Sequence, residues 1–147
     1  MGERVNVEGL LLTTRCLRLL ATARVGRIVH THHALPAVLP VPFCLDADFT
    51  VVVRTSAESR LAGAIDRAVV AFQADEVDPA ERSGWSVVVT GRATAVTDPA
   101  EHRRLSRTGP CSWRASCHDI FFRIEPELIT GSELGARRVL HDARRMS

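Results

Sequence analysis

The 147-residue chain contains no lysine and no tyrosine, and its 19 basic residues are all arginine. Against 17 acidic residues these give a formal net charge of only +2, which argues against binding nucleic acid by bulk charge. Cysteine is sparse and scattered. Cys16, Cys44, Cys111 and Cys117 include no CxxC pair, so neither a zinc ribbon nor a redox dithiol is expected and reduced thiols are the expected state. Five residues separate Cys111 from Cys117-His118, where covalent haem attachment needs two. No long hydrophobic run is present. The least interrupted one, residues 35–45, contains Pro36, Pro40 and Pro42 and cannot cross a bilayer as a helix. The first fifteen residues carry Glu3 and Glu8 where an export signal needs positive charge, so a cytoplasmic location is expected. Gly-rich phosphate loops of the Walker or dinucleotide type are absent, which removes nucleoside triphosphate chemistry from the expectations.

What is present is a folding composition, 46% hydrophobic and 24% charged, in a length that suits a single core. Leu17, Leu20 and Ala21 recur at helical spacing behind Thr13 and Thr14, which predicts a helix over 14–24. Stretches rich in Val, Ile, Thr and aromatics, bounded by turn residues, predict six strands at 26–31, 37–43, 49–55, 69–75, 85–96 and 120–124. A short helix is expected within 56–66, where Leu61, Ala64, Ile65 and Ala68 repeat. Asp98-Pro99-Ala100-Glu101 reads as a helix start with a capping box, whereas the same tetrapeptide at 78–81 runs into Ser83-Gly84 and reads as a turn. Two helices cannot cover both faces of so much sheet, so a mostly β fold, an antiparallel sheet closed into a small barrel, is expected. The Arg-rich end, with Arg137, Arg138, Arg144 and Arg145, lacks aromatics and is read as a frayed helix.

The segment with most chemical content is 51–60, where Val51-Val52-Val53 leads into Arg54-Thr55-Ser56-Ala57-Glu58-Ser59-Arg60. An apolar strand running into a helix start leaves backbone N–H groups for an anion, Thr55, Ser56 and Ser59 add hydroxyl donors, and Arg54 and Arg60 bring guanidinium forks suited to phosphate. The same residues also permit a plainer reading, with Ser56 capping the helix and Arg54, Glu58 and Arg60 forming a solvated cluster. His30 and His32 project from one strand face, but with no third ligand identifiable an exposed strand end is the simpler account.

Several motifs together resemble the pyridoxamine 5'-phosphate oxidase-like, FMN-binding split-barrel superfamily, in particular its small flavin- and deazaflavin-binding members. They are Val25-Gly26-Arg27, Pro40-Val41-Pro42-Phe43, Val53-Arg54-Thr55 with Ser59-Arg60, Ala71-Phe72-Gln73-Ala74-Asp75, and Gly84-Trp85-Ser86-Val87 with Gly91. The resemblance covers about residues 15–132, leaving 1–14 as an N-terminal extension and 133–147 as an Arg-rich tail. It implies a six-stranded antiparallel split barrel with a few short helices, assembled as a homodimer with cofactor sites at the subunit interface. It further implies that Arg54, Thr55, Ser56, Ser59 and Arg60, following Val53, hold the cofactor phosphate. On the same grounds Val41, Pro42 and Phe43 run beside the ring system, Trp85 and Ser86 approach from the partner or close the phosphate end, and Trp113 folds over the ring. Phe43 and Trp85 also alternate as core residues do, and Gly84 and Gly91 read as strand-bending positions.

The chain departs from the family pattern where Pro42-Phe43 replaces Asn-Tyr, where Arg60 replaces Lys, and where Ser132-Glu133 follows Gly131. Pro42 removes a backbone donor and Phe43 a hydroxyl beside the expected ring. The implied function is an oxidoreductase that uses FMN or a deazaflavin on a small-molecule substrate, with no separate catalytic side chain identified. The rival readings are a non-enzymatic flavin or haem protein, with His30, His32 or His118 as iron ligands, and a degenerate member that has lost its cofactor.

Overall fold

Strand alternation fixes the two faces of the sheet. In the computed structural model, which describes residues 7–113, 118–135 and 138–143, β4 (Val69–Asp78) buries Val70, Phe72 and Ala74, and β5 (Ser83–Ala95) buries Trp85, Val87, Val89, Gly91 and Ala93. The residues between them face outwards, as a period of two requires. The same rule places Ile28 of β1 (Val25–His32), Val41 and Phe43 of β2 (Leu35–Leu45), Val51 and Val53 of β3 (Val51–Ser56), and Phe122, Ile124 and Ile129 of β6 (Asp119–Leu134) in one core.

All pairings are antiparallel, and β1 joins β2 to β4, β4 joins β5, β5 joins β6, β6 joins β3 and β3 returns to β2. Six strands therefore close into a ring, the mostly β, closed antiparallel architecture expected from the sequence. At its centre a methyl group on Gly26 would overlap the Phe72 ring, which itself lies 4.6 Å from that of Phe43. Only glycine lets an aromatic cross the inner wall at that point. α1 (Val7–Thr22) contributes Cys16, Leu17 and Leu20 to the core, and the five-residue α2 (Arg60–Ala64) contributes Leu61. α3 (Pro99–Thr108) packs Leu105 on Val52 and Phe121 outside the ring.

Several elements differ from the sequence reading. α1 begins at Val7, well before Thr14, and ends at Thr22. Phe49 lies outside β3, half-exposed in a turn with φ of 65°. β6 runs on to Leu134 through Pro126 because it takes up one extra residue there: Thr90 pairs with Leu128 and the next residue of β5, Gly91, with Pro126, so Glu127 is bulged out of the pairing, and a Cβ at Gly91 would strike the Glu125 carbonyl. The Arg-rich tail is no helix over Arg138–Ala143. That segment is β7, an edge strand that pairs with β6 along the edge left free beyond β3. Asp98 caps α3 with Pro99 in its first turn, as expected, but the Glu101 carboxylate turns to Arg104 and Arg123. A guanidinium is a stronger partner for a carboxylate than a backbone amide. Asp78 accepts from the Ala80 and Glu81 N–H groups in the turn expected there. No helix among the described residues is long and apolar enough to cross a membrane.

Candidate functional site

The ring opens where β2 and β3 part. β2 pairs with β1 from Leu35 to Pro42, but with β3 only at Phe43–Leu45. Alternate residues of a strand address opposite edges with their backbone groups, and Pro36, Pro40 and Pro42 all belong to the set that faces away from β1. The next rung after Phe43 with Val53 would set Pro42 against Arg54, and Pro42 has no N–H to donate. Pairing stops there, and the gap becomes a cleft of about 350 Å³.

One wall of the cleft is apolar: Leu39, Pro40, Val41 and Pro42 of β2, with Trp113 on the rim after α3, 54% exposed. The other end is polar, formed by Arg54, Thr55 and Ser56 at the end of β3, Ser59, Ser112 and Asp119. Arg54 donates from Nε to Asp119 Oδ2 at 2.8 Å and from Nη1 to the Pro110 carbonyl at 3.1 Å. Its guanidinium carbon also lies 5.1 Å from the centre of the Phe121 ring. The Arg54 and Asp119 side chains are 17% and 9% exposed, so the pair is largely shielded from water. His102 of α3 meets the Asp119 backbone oxygen at 3.1 Å from behind.

The hydroxyls are tied together locally. Thr55 Oγ1 and Ser59 Oγ are 3.0 Å apart, Ser59 Oγ accepts from Ala62 N–H at 3.3 Å, and Ser56 Oγ accepts from Glu58 N–H at 3.2 Å. Ser59 rather than Ser56 caps α2. With five residues, α2 is too short to build up an appreciable dipole, so the anion-holding capacity of this end rests on Arg54 and the hydroxyls.

Seven of the twelve residues singled out in the sequence, Val41, Pro42, Arg54, Thr55, Ser56, Ser59 and Trp113, line this cleft. The other five do not. Phe43 and Val53 face the core, Trp85 is buried inside the ring, and Arg60 is exposed at the start of α2. Ser86 faces outwards on β5, where Gln73 Nε2 donates to its hydroxyl at 3.2 Å and to Asp75 at 2.8 Å. Leu39, Pro40, Ser112 and Asp119 escaped the sequence reading. Only the prolines at 40 and 42 hinted at an open strand edge.

Nothing gathers metal ligands: among the described residues no group of three His, Cys, Asp or Glu side chains is placed to hold an ion. His30 and His32 share a strand face, opposite Ala37 and Leu35, and burial together with the charge of His32 lowers the pKa of His30. Its Nδ1 is buried without a hydrogen-bond partner. Cys16, Cys44 and Cys111 are free thiols, and burial pushes those of Cys16 and Cys44 up. Cys117 lies outside the described residues.

The pattern of the pyridoxamine 5'-phosphate oxidase family matches residues 13–133. The uncharacterized protein Rv0080 of Mycobacterium tuberculosis is 42% identical over 125 residues, covering 82% of this chain and 81% of its own. Among solved structures, an FAD binding protein from Mycobacterium smegmatis superposes with a TM-score of 0.69 at 31% identity, over 82% of this chain and 93% of that one. An FAD-binding protein from Mesorhizobium loti gives 0.66 at 25% identity, over 82% and 92%. On the match to 121 of its 147 residues, the chain belongs to the pyridoxamine 5'-phosphate oxidase family.

Proposed function

We propose that the cleft binds a flavin-type cofactor and that the protein is an oxidoreductase acting on a small molecule. The observation that carries this reading is the division of a single cleft into an apolar wall, Leu39 to Pro42 with Trp113, and a polar end of one guanidinium and three neighbouring hydroxyls. A planar ring with a phosphorylated tail has the same division. Arg54 grips the tail phosphate with the guanidinium N–H groups not engaged by Asp119 and Pro110, and Thr55, Ser56 and Ser59 donate to its remaining oxygens. Leu39, Val41 and the prolines exclude water from one side of the ring, and Pro42 offers no N–H to its polar edge. When bound, the cofactor supplies the hydride or electron transfer, and the chain supplies position and electrostatics. The names of the similar structures support a flavin. FMN is the form the motif resemblance suggests, with FAD or a deazaflavin as the alternatives to test beside it.

The active unit in this reading is a homodimer. Val38, Val29 and Ala71 form one apolar row across the outer face of β2, β1 and β4, flanked by Val25 and Val69, and none of the described residues covers Val25, Val38 or Val69. Val38 and Val69 are 60% and 54% exposed, and such patches commonly mark contact surfaces. Ser86 lies on the same outer face, and through that contact it and the neighbouring Gln73 approach the partner's cleft.

The test is a titration of the purified protein with FMN, FAD and a deazaflavin, followed by visible absorption and by molar mass in solution. The reading expects saturable binding to a dimer, and bleaching of the cofactor band by a nicotinamide donor with recovery on adding an acceptor. Binding without bleaching would reduce the protein to a flavin carrier. A monomer that binds none of the three would overturn the proposal.

A further inference from the structure

Each contact of the Arg54 guanidinium among the described residues leads back to α3. The Pro110 carbonyl that accepts from Nη1 follows the end of that helix, where the Gly109 N–H donates to the Leu105 carbonyl at 2.9 Å and closes the last turn. Leu105 packs with Phe121, whose ring lies 5.1 Å from the guanidinium carbon. The third contact is the Asp119 carboxylate, at the very start of β6, where the sheet supports the strand least. Pairing with β5 begins only at Phe122, opposite Ala95, and the Phe121 carbonyl still receives the Val96 N–H at 2.9 Å. The Asp119 carbonyl points to the same edge two residues further out, beyond the end of β5. His102 supplies the donor that β5 does not, with Nε2 at 3.1 Å from this oxygen. A carbonyl only accepts, so Nε2 carries the proton. The His102 ring also stands edge-on to that of Phe121, with centroids 5.1 Å apart at 73°. His102 and Leu105 are three residues apart on one helical face, so a single face of α3 backs both the carboxylate and the ring against which Arg54 rests.

We propose that His102, which is not part of the cleft lining, is a positioning residue for Arg54. By fixing the backbone of Asp119 it sets where the carboxylate stands, the carboxylate holds the Nε edge of Arg54, and the guanidinium N–H groups left over are thereby aimed into the cleft. His102 acts on the polar end alone, because the apolar wall of Leu39 to Pro42 is held by the ladder between β1 and β2. The seat of Arg54 is a property of the chain without ligand, whereas its effect on binding rests on the flavin reading above.

Two measurements on wild type, His102→Phe and His102→Gln provide the test. Phe keeps a ring against Phe121 and removes the donor, whereas Gln restores an N–H of similar reach. The first measurement is the exchange of the Arg54 Nε–H with water, read from heteronuclear NMR spectra of the arginine side chains in the protein without ligand and assigned by the signal lost in Arg54→Lys. Exchange should quicken about fivefold in His102→Phe and stay within about twofold of wild type in His102→Gln, the scale of one ordinary hydrogen bond. The second is a fluorescence titration with FMN and with riboflavin, which has the same ring and no phosphate. FMN affinity should fall about fivefold in His102→Phe and recover in His102→Gln, while riboflavin affinity holds throughout. Unchanged Arg54 exchange in His102→Phe overturns this proposal, whatever the flavins do. So does a His102→Gln protein that behaves like His102→Phe, since the donor would then not matter. FMN affinity that stays constant in His102→Phe, or falls together with that of riboflavin, also overturns it and leaves the flavin reading standing, with His102 a support of the fold only. If wild type binds neither flavin, the flavin reading falls and the Arg54 signal alone decides whether His102 holds its seat.

Discussion

Arg54 and Arg123 are the same residue type on the same outer face of adjacent strands, two rungs apart, since Arg54 sits opposite Phe121 and Val52 opposite Arg123. Their surroundings differ in the number of carboxylates and in whether they border the cleft. Arg123 donates to Asp46 at 2.8 Å, to Thr50 Oγ1 at 2.9 Å and to Glu101, and Arg104 binds the same two carboxylates from the α3 side. Two guanidiniums between two carboxylates form a closed network that ties β6, α3 and the end of β2 together. Arg54 has a single carboxylate and a carbonyl, and it borders a cleft. An arginine surrounded by acids is a structural tie, whereas one with a single acid behind it keeps donors for a ligand. In the function proposed above, the same side chain serves as a tie at 123 and as a ligand donor at 54, decided by its neighbours.

The largest effect that tests this contrast is on stability. Arg123→Ala strands Asp46 and Glu101 on the more exposed Arg104 and cuts the link from β6 to α3 and β2. A loss of about 2–3 kcal/mol is expected in urea denaturation, below the range for a fully buried ion pair because Arg104 still partners both carboxylates. Cofactor affinity should stay within twofold of wild type. Arg54→Ala adds a loss of affinity. Affinity should fall by about 1.5–3 kcal/mol, roughly 10- to 100-fold, the range for a charge-assisted hydrogen bond. Stability should also drop, by about 2–3 kcal/mol, because the Asp119 carboxylate loses its guanidinium partner while staying mostly shielded, so it is the affinity that separates the two variants. Equal stability losses in the two variants with no change in affinity would erase the distinction.

Much of this was legible in the sequence, and the rest was not for definite reasons. The alternation in 69–75 and 85–96 is local, so both strands and their buried faces could be read from period two alone. Arg54, Thr55, Ser56 and Ser59 were found because a strand running into a helix start is likewise a local signal. Asp119 was missed because its partner lies 65 residues away and only the closure of β3 on β6 brings them together. β7 was misread because Arg138-Val139-Leu140-His141-Asp142 shows no clear alternation, and its strand state comes from the open edge of β6. The strand expected at 120–124 runs on past Pro126 to Leu134 because the bulge at Glu127 that accommodates the proline is visible only in the pairing with β5. Trp85 and Ser86, assigned to the cofactor by resemblance, face the core and the outer surface of their own chain, so Trp85 serves the core and a role for Ser86 needs a second copy.

The smallest expected effect separates the two arginines by pH. Hydrogen bonds from Arg104 hold the Asp46 carboxyl well below the usual carboxylate range, with further help from the Ala47 N–H and Arg123. A carboxylate whose folded pKa is depressed contributes stability that is fully present above its unfolded value, about 4, and lost as pH falls through the folded one. Acidification below pH 4 should therefore weaken the wild-type fold through Asp46, by less than either substitution above. Arg123→Ala, which removes one of the groups depressing that pKa, should show a shallower decline over the same interval, while Arg54→Ala should follow the wild-type slope because it leaves Asp46 untouched. Urea midpoints measured from pH 5 down to pH 2.5 provide the comparison. Parallel curves for wild type and Arg123→Ala would mean that Arg104 alone sets the charge state of Asp46, reducing Arg123 to its contact with Thr50.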